Sequence, residues 1–457
     1  MASENKWTLL LVALVCVWAA VLGSTIYPKI SGDQPLVDPT INLTLVTLPL
    51  LAFNMLYFGM LIFVFIVYLA VYGKTKNRQA RAISEYNSNP LNLIRRPLCT
   101  IVIPARNEAS VIKRTINNCL DQTYHNLELI VVCHNCTDLT FEQAKSVNDG
   151  RVHAYRLDTA EAGKGIALNF GVQKSRGEYI LVLDGDGILS ADFIANAIPL
   201  LENDKKTAAV QGRYVPSNRG FNLLTRLLSL EGDLWSTPYM TLRDFFGRRT
   251  PLGGTGYIIK RLALLKVGMF ANHLVDDYEL TFRLLRSGYR ISFAPLCINY
   301  DEKPPSLDIM FRQRARWGKG FLQLLKMRIT DRRDIIGFVY WLSPVSAFTG
   351  LAMLLIPGIA AFYNALFGYF PFTYSFLSLE TWTALTITAI SLQAAALLRS
   401  YGRKGLPLVA QTLFLIPFSN YWYVSFIKAF GVKSWSNTKT SHGFVTEEVQ
   451  NIARDVA

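Results

Sequence analysis

The sequence predicts an α/β domain with a mostly parallel sheet, inserted between N-terminal and C-terminal transmembrane helices. From Leu98 onward, short β-branched and apolar runs alternate with segments of helical spacing, which is the pattern of such a sheet. Long apolar stretches occupy both ends of the 457-residue chain. Hydrophobic residues make up 51% of it and the mean hydropathy is +0.23, so the composition is too apolar for an ordinary soluble enzyme.

Two apolar segments near the N-terminus are long enough to cross a bilayer. Trp7–Tyr27 has the length of one span, and Leu43–Tyr72 is long enough to cross with a tilt. A signal peptide is the alternative for the first segment, but no clear cleavage site of small residues follows it, so we favour a retained anchor. Four basic residues follow the second segment directly: Lys74, Lys76, Arg78 and Arg81. By the positive-inside rule they place the domain after them in the cytoplasm.

The central region supplies the elements of the sheet. The predicted strands are Cys99–Pro104, Leu127–Val132, Val152–Leu157 and Tyr179–Leu183. The predicted helices between them are Val111–Leu120, Phe141–Val147 and Ala167–Ser175. Ligands of such sheets bind beyond the carboxyl ends of the strands. The Asn107–Glu108 loop, the His134–Asp138 loop and the carboxylates Asp184 and Asp186 all follow strand ends.

The C-terminal apolar region does not resolve into a simple set of spans. Ile335–Phe370 is broken by two prolines, Thr381–Leu398 is a clean span, and Leu406–Ile427 has Pro417 near its middle. Basic residues flank Leu406–Ile427 on both sides, although a simple span has one cytoplasmic end. Either this segment enters and returns around Pro417, or Ile335–Phe370 contains two elements. The predicted division is a membrane region (1–82), a cytoplasmic domain with interfacial helices (83–330), a second membrane region (331–430) and a cytoplasmic tail (431–457).

Carboxylates, basic residues and aromatics follow one another in the second half of the domain. Asp184 and Asp186 end an apolar run, and Asp276 and Asp277 open a segment of helical spacing. The segment Gln313–Trp317 contains Gln313, Arg314, Arg316 and Trp317. Adjacent carboxylates are costly to bury unless something binds them. Together these motifs predict a metal-and-phosphate site with a base nearby and a platform for an acceptor.

The motifs Asp184-Gly185-Asp186, Asp276-Asp277 and Gln313-x-x-Arg316-Trp317, in this order, resemble the signature of membrane-embedded family 2 glycosyltransferases. That group includes cellulose, hyaluronan and poly-N-acetylglucosamine synthases, together with enzymes that glycosylate lipids. The resemblance covers roughly Cys99–Lys326. It implies a GT-A-like, nucleotide-sugar-binding fold and inverting transfer of a hexose from a nucleotide diphosphate sugar. A UDP-sugar is the expected donor, and Mg²⁺ or Mn²⁺ is the expected cofactor.

The resemblance also implies roles for the carboxylates. Asp184 and Asp186 are the expected metal ligands, and Asp184 also contacts the nucleotide. Asp277 is the expected general base, with Asp276 beside the substrate. An Asp-Gly turn and a helix N-cap are the purely structural alternatives for the two pairs.

The remaining implied roles concern the donor and the acceptor. Gln313, Arg314, Arg316 and Trp317 are expected to bind substrate, with a cationic amphipathic helix on the membrane surface as the other reading. Pro104, Arg106, Asn107 and Glu108 resemble the loop that contacts base and ribose. Lys164 resembles a loop residue beside the nucleotide, and a surface lysine is its alternative. His134 stands where many relatives have a base-binding Asp, which leaves the choice of nucleotide open, and Asp138 is expected only to shape the turn.

Two further short motifs resemble known functional segments. Cys133-His134-Asn135-Cys136 has the spacing of half a zinc site, but no second Cys or His pair follows, so we interpret it as two reduced thiols at a strand-to-loop junction. The segment Trp435–His442 resembles the loop that gates the active site in such synthases.

The sequence therefore predicts a multi-pass protein of the cell membrane, most simply an enzyme, and three hypotheses describe its function. The first is transfer onto a growing β-linked polysaccharide, with coupled export left open. The second is glycosylation of one lipid, such as diacylglycerol, a ceramide-like lipid or a polyprenyl phosphate. The third is a scaffold or transporter, which does not require the carboxylates. Membrane lipids are expected partners, and nucleic acid is not, because the net charge of +14 forms no basic stripe interleaved with aromatics.

Overall fold

The structure is a computed structural model that describes residues 41–42, 44–326, scattered positions between 345 and 373, and residues 379–419 and 421–432. The described chain divides into two compact units. The larger unit contains residues 67–309 and 323–326, and the smaller contains the described residues up to 66, residues 310–322 and those between 345 and 432.

The elements alternate as predicted through the first half of the larger unit. The strands are β1 (Ile41–Asn42), β2 (Cys99–Ala105), β3 (Leu127–His134), β4 (Val152–Leu157), β5 (Tyr179–Val182), β6 (Ile188–Leu189), β7 (Thr207–Pro216), β8 (Tyr257–Lys260), β9 (Arg290–Asp301) and β10 (Phe372–Thr373). The helices down to the end of the larger unit are α1 (Thr44–Ser88), α2 (Pro90–Arg95), α3 (Ile112–Leu120), α4 (Thr140–Lys145), α5 (Lys164–Lys174), α6 (Phe193–Glu202), α7 (Leu223–Phe245), α8 (Arg261–Lys266), α9 (Asp276–Arg286) and α10 (Leu307–Lys326). The four predicted strands and three predicted helices are all present, with ends that shift by a few residues.

The larger unit is built on an eight-stranded sheet in the order β4-β3-β2-β5-β8-β7-β9-β6. Strands β4, β3, β2 and β5 are parallel, and so are β7 and β9. Strands β8 and β6 run antiparallel to their neighbours. The prediction of a mostly parallel sheet is therefore wrong for the second half, because β5 and β8 pair antiparallel at the centre of the sheet. The chain places β3 and β4 on one side of β2 and β5 on the other, so the order reverses between β2 and β5, where ligands of such sheets bind.

Apolar side chains cover both faces of this sheet. Along β2, Ile101 and Ile103 face one cluster, which also contains Leu129 and Phe193, while Val102 faces a second cluster. Helix α3 packs on the first face through buried residues spaced at i, i+3, i+4 and i+7, namely Ile112, Thr115, Ile116 and Cys119. Burial on both faces makes the central strands rigid, and this fixes the loops at their carboxyl ends.

Helix α1 is longer than the predicted span Leu43–Tyr72 and continues to Ser88. Its C-terminal part packs within the larger unit, where the buried Gln79 donates from Nε2 to the carbonyl oxygen of Phe293 at 2.6 Å. The basic residues Lys74 and Arg81 therefore lie on the helix itself, not in a loop after it. Within the described residues, one helix, from Leu48 to Ser88, is long and apolar enough to cross a membrane.

From residue 379 onward, the helices that the structure describes belong to the smaller unit: α11 (Leu379–Tyr401), a 3₁₀ turn (Gly402–Gly405), α12 (Leu406–Val409), α13 (Thr412–Phe418) and α14 (Tyr421–Ala429). Helix α11 coincides with the predicted span Thr381–Leu398, whose membrane insertion stays a prediction. The predicted segment Leu406–Ile427 is divided among three short helices. Trp7–Tyr27, Trp435–His442 and most of Ile335–Phe370 lie outside the described residues.

Candidate functional site

The loop Gly253–Gly256, just before β8, forms the centre of the candidate site. Two side chains of β7 hold its backbone: the Tyr214 hydroxyl lies 2.5 Å from the Gly253 carbonyl oxygen, and Gln211 Oε1 accepts from Gly253 N at 2.9 Å. Gln211 Nε2 also donates to the carbonyl oxygen of Gly256 at 3.1 Å. Burial, with nearby carboxylates including Asp277, raises the pKa of Tyr214 well above its usual value, so its hydroxyl stays a donor. The loop backbone is thus fixed by buried polar contacts.

Lys164 connects this loop to the carboxylates. Its Nζ lies 2.5 Å from Asp184 Oδ1 and donates to the carbonyl oxygen of Gly254 at 2.8 Å. Burial opposes the charged ammonium, but Asp184, Asp276 and Asp277 outweigh it and raise the pKa of Lys164. With only 17% of its side chain exposed, Lys164 is not the surface lysine of the alternative reading.

Helix α9 carries the second carboxylate pair at its start. The N-cap residue is Val275, so Asp276 and Asp277 occupy the first two helical positions and neither is the cap that the structural alternative proposed. Asp276 is buried, and Asp277 Oδ1 accepts from Tyr278 N at 2.8 Å. A Cβ on Gly254, which has φ +83°, would lie 3.3 Å from Asp277 Oδ2. A glycine here therefore lets the loop approach the carboxylate closely.

Asp184 and Asp186 lie on a turn after β5, next to the reversal in strand order. Gly187 N donates to the Asp184 carbonyl oxygen at 2.9 Å, and Thr115 Oγ1 donates to that of Gly185 at 2.9 Å. Among the residues that the structure describes, no group of three His, Cys, Asp or Glu side chains is arranged to hold a metal alone. Two carboxylates completed by phosphate oxygens and water fit Mg²⁺ or Mn²⁺, which prefer hard oxygen ligands. The turn thus fits a cation that arrives with a phosphate.

The predicted nucleotide loop follows β2 and is tied to the loop after β3. Asn107 adopts φ +56°, and its Oδ1 accepts from Thr137 N at 2.7 Å. Glu108 N donates to Thr140 Oγ1 at 2.7 Å, and the Glu108 side chain packs against Gly185. Pro104 lies within β2, and Arg106 is close enough to His134 to lower its pKa. The loop is therefore adjacent to the Asp184–Asp186 turn, as the motifs predict.

Asp138 has the structural role that the sequence suggested. Its Oδ1 accepts from Thr140 N at 3.1 Å, and its Oδ2 accepts from Ala109 N at 3.2 Å. The carboxylate joins the two loops and shapes the turn.

His134 is buried at the end of β3, not in the following loop. Its Nε2 lies 2.7 Å from Thr159 Oγ1, and that hydroxyl donates to the carbonyl oxygen of Glu161 at 2.7 Å. These contacts hold the segment that leads into Lys164. His134 thus connects the strand end to the lysine.

The four residues of the Gln313–Trp317 segment lie on α10, within the smaller unit. The guanidinium of the buried Arg314 stacks on Trp317, 4.1 Å from its ring centroid, and lies 5.5 Å from that of Trp422. Arg314 Nη1 donates to Gln313 Oε1 at 3.0 Å, and Nε lies 3.3 Å from the Tyr421 hydroxyl. The indole of Trp317 is therefore held in place by a cation–π contact. Gln313, Arg316 and Trp317 are partly exposed.

The sequence singled out Lys164, Asp184, Asp276 and Asp277, which lie close together in the structure, while their roles stay predictions. It missed Gln211 and Tyr214. The sequence does contain an indication of Gln211, because this polar residue directly follows the apolar run Ala208–Val210 within a strand. Gln211 is fully buried, and a buried amide requires partners. Those partners are the loop Gly253–Gly256, which no local pattern identifies.

Replacing Lys164 by Met tests whether its ammonium group stabilises the candidate site. The variant leaves three carboxylates without their shared partner, so the free energy of unfolding should fall by about 2 kcal/mol, the scale of a charge-assisted hydrogen bond. Thermal unfolding of the full chain in detergent measures this. The exposed Lys113, replaced by Met, is the matched control. Equal transition temperatures for the two variants would contradict the assignment.

His134 should make stability depend on pH. Burial, aided by Arg106, lowers its pKa, so the ring is neutral when folded while the unfolded chain takes up a proton near pH ~6.5. Its contribution is present above that pH and is lost as the pH falls through the lowered folded value. Between about pH 7.5 and 5.5 the wild type should therefore lose more thermal stability than His134→Asn. The exposed His125, replaced by Asn, should retain the wild-type slope.

Residues 97–320 match the family model described as Glycosyltransferase like family 2. The probable glycosyltransferase YdaM of Bacillus subtilis is 29% identical over 280 residues, which cover 57% of this chain and 66% of that relative. The poly-β-1,6-N-acetyl-D-glucosamine synthase of Staphylococcus aureus is 25% identical over 227 residues, which cover 50% of this chain and 55% of that relative. The chain thus spans between about half and two thirds of these relatives.

Among solved structures, the mannosyltransferase PcManGT from Pyrobaculum calidifontis, in complex with GDP-Man and Mn²⁺, is similar with a TM-score of 0.46 and 20% identity. The match covers 79% of this chain and 99% of that one.

Proposed function

Because residues 97–320 match the family model described as Glycosyltransferase like family 2, we propose that the chain transfers a sugar from a nucleotide diphosphate sugar to a growing β-linked polysaccharide, with inversion at the anomeric carbon. The observation that carries the proposal is Lys164, whose ammonium lies among Asp184, Asp276 and Asp277 beside the loop Gly253–Gly256. A scaffold or transporter does not need this cluster of charges, in which Asp276 is buried and the side chain of Lys164 is only 17% exposed, because such charges are costly to maintain.

Asp277 is suited to act as the general base. In the proposed reaction the acceptor hydroxyl attacks the anomeric carbon, the bond from that carbon to the diphosphate oxygen breaks, and the hydroxyl proton passes to Asp277. Tyr278 N holds Oδ1, so Oδ2 has a fixed direction beside Gly254. A carboxylate with a fixed direction favours in-line attack by the acceptor hydroxyl.

The donor is proposed to bind between the loop after β2 and the turn Asp184–Asp186. Pro104 to Glu108 would contact base and ribose, and Asp184 and Asp186 would hold the cation. A divalent cation neutralises charge on the leaving diphosphate when it is bound. Lys164 forms an ion pair with Asp184 and would add positive charge near the phosphates. UDP-sugar remains the expected donor, with His134 acting by positioning the segment before Lys164.

The acceptor is proposed to rest on Gln313, Arg316 and Trp317. An indole face suits the apolar side of a sugar ring, and an Arg meets oxyanions in bidentate fashion. Arg314, which is buried against Trp317, supports this platform by fixing the indole.

Polysaccharide is favoured as product by the similarity to the Staphylococcus aureus synthase. The test is incubation of membranes containing the chain with a panel of labelled nucleotide sugars, followed by sizing of the products. The proposal predicts a ladder of long products from one donor. A single sugar on an extractable lipid would contradict it and favour the lipid-glycosylating alternative.

Membrane topology gives a further prediction. The cluster Lys74–Arg81 should place residues 98–326 on the cytoplasmic side of the cell membrane, where nucleotide sugars are made. Single cysteines introduced on the exposed surface of this region should react with an impermeant reagent only after cells are opened. Reaction in intact cells would refute both the topology and the proposed donor supply.

A further inference from the structure

Two cysteines lie near each other at the end of β3. Cys133 is fully buried in the sheet core, and Cys136, three residues later, is half-buried against the same cluster. Ala105 is the residue that pairs with Cys133 in the β2–β3 register, and Cys136 Sγ lies 3.5 Å from its carbonyl oxygen. One thiol is thus partly reachable from solvent, and a second, buried thiol lies near it.

Cys136 also contacts the loop that follows β2. Its sulfur accepts a hydrogen bond from Asn107 N at 3.4 Å and lies 3.5 Å from the carbonyl oxygen of Ala105. Asn107, with φ +56°, in turn accepts from Thr137 N. The sulfur is therefore part of the contacts that shape this loop.

The surroundings divide the two thiols by reactivity. The contact with Cys133 and the Asn107 amide outweigh burial and lower the pKa of Cys136 to about 7, so part of it is thiolate at neutral pH. The contact with Cys136 and burial raise the pKa of Cys133. The other cysteines that the structure describes, Cys99, Cys119 and Cys297, are buried, and burial raises their pKa values.

We propose that Cys133 and Cys136 form a reversible disulfide when the protein meets a peroxide. The Cys136 thiolate attacks one peroxide oxygen, the O–O bond breaks, and a sulfenic acid and hydroxide result. The Cys133 sulfur then displaces the sulfenic oxygen, which leaves with the thiol proton as water while the S–S bond forms. Two thiols lose two electrons and the peroxide gains them. A dithiol reductant reverses the step by exchange.

The consequence for binding rests on the proposed function. A disulfide removes the thiol hydrogen near the Ala105 carbonyl oxygen and draws the sulfur away from Asn107 N. The loop after β2, proposed to contact base and ribose, then loses contacts that shape it. Affinity for the nucleotide should fall about tenfold, the scale of one lost hydrogen bond.

The experiment uses the purified full chain in detergent, treated with hydrogen peroxide, denatured, alkylated and digested with trypsin. The peptide 115–145 contains Cys119, Cys133 and Cys136, so Cys119 is an internal reduced reference. The expected result is protection of Cys133 and Cys136, alkylation of Cys119, and full alkylation after dithiothreitol. Alkylation of all three after peroxide, or oxidation of Cys119 to the same extent, would overturn the proposal.

Two variants separate the steps. In Cys133→Ala, which suits the apolar core, dimedone should trap a sulfenic acid on Cys136, and its absence would contradict the assigned order. In Cys136→Ser, peroxide should leave UDP affinity unchanged, whereas the wild type should weaken about tenfold and recover with dithiothreitol. If the reduced protein does not bind UDP with Mn²⁺ at all, the proposed function fails, and the peptide result alone decides the disulfide.

Discussion

Asp277→Asn should abolish sugar transfer while leaving nucleotide affinity nearly unchanged. The substitution keeps the size of the side chain and an oxygen that accepts from Tyr278 N, but removes its basicity. A general base contributes about a hundred- to ten-thousand-fold to the rate, and it acts on the acceptor hydroxyl. Steady-state transfer and calorimetric titration with UDP measure the two quantities separately.

The exposed Asp121, replaced by Asn, is the matched control and should retain full transfer. Wild-type transfer by Asp277→Asn would show that another group takes the proton. Loss of UDP binding together with lower thermal stability would instead show that Asp277 mainly stabilises the start of α9, where a carboxylate favours the helix dipole.

Asp186→Asn should lower donor turnover by about a thousandfold or more, because a bound cation stabilises charge on the leaving diphosphate by several kcal/mol. Chelation should do the same to the wild type, and added Mg²⁺ or Mn²⁺ should restore it. Mn²⁺ binding in the presence of UDP, followed by electron paramagnetic resonance, should weaken in the variant.

The exposed Asp192, which follows the turn in the sequence, is the matched control when it is replaced by Asn. Full activity of the wild type in excess chelator would exclude the cation from the reaction. Normal Mn²⁺ binding by Asp186→Asn, with activity lost, would assign Asp186 another role.

The sequence was sufficient where the signal is local. The runs Cys99–Pro104 and Leu127–Val132 are strands because their β-branched and apolar residues fit a buried sheet, and Asp184 follows such a run. The sequence predicts helix α9 but not its N-cap residue, because Val275 occupies a position that polar residues usually occupy.

What could not be predicted depends on contacts between distant segments. The antiparallel pairing of β5 with β8 joins residues that are far apart in the chain. The residue pattern of a strand does not show whether the strand pairs parallel or antiparallel with its neighbour. Lys164 could be read as a surface lysine because its partners, Asp184 and Gly254, are supplied by other loops. The long helix α1 continues beyond its apolar part because Gln79 is buried against Phe293, which hydropathy does not reveal.

The most direct test of the central claim is release of UDP by the purified chain in detergent, with each of a panel of UDP-sugars and with Mg²⁺ or Mn²⁺. The account predicts release from one donor that requires the metal, is stopped by chelator and is lost in Asp186→Asn. Absence of release from every donor in the presence of metal, by protein that unfolds cooperatively, would contradict the proposal that this chain is a nucleotide-sugar-dependent glycosyltransferase using UDP-sugars.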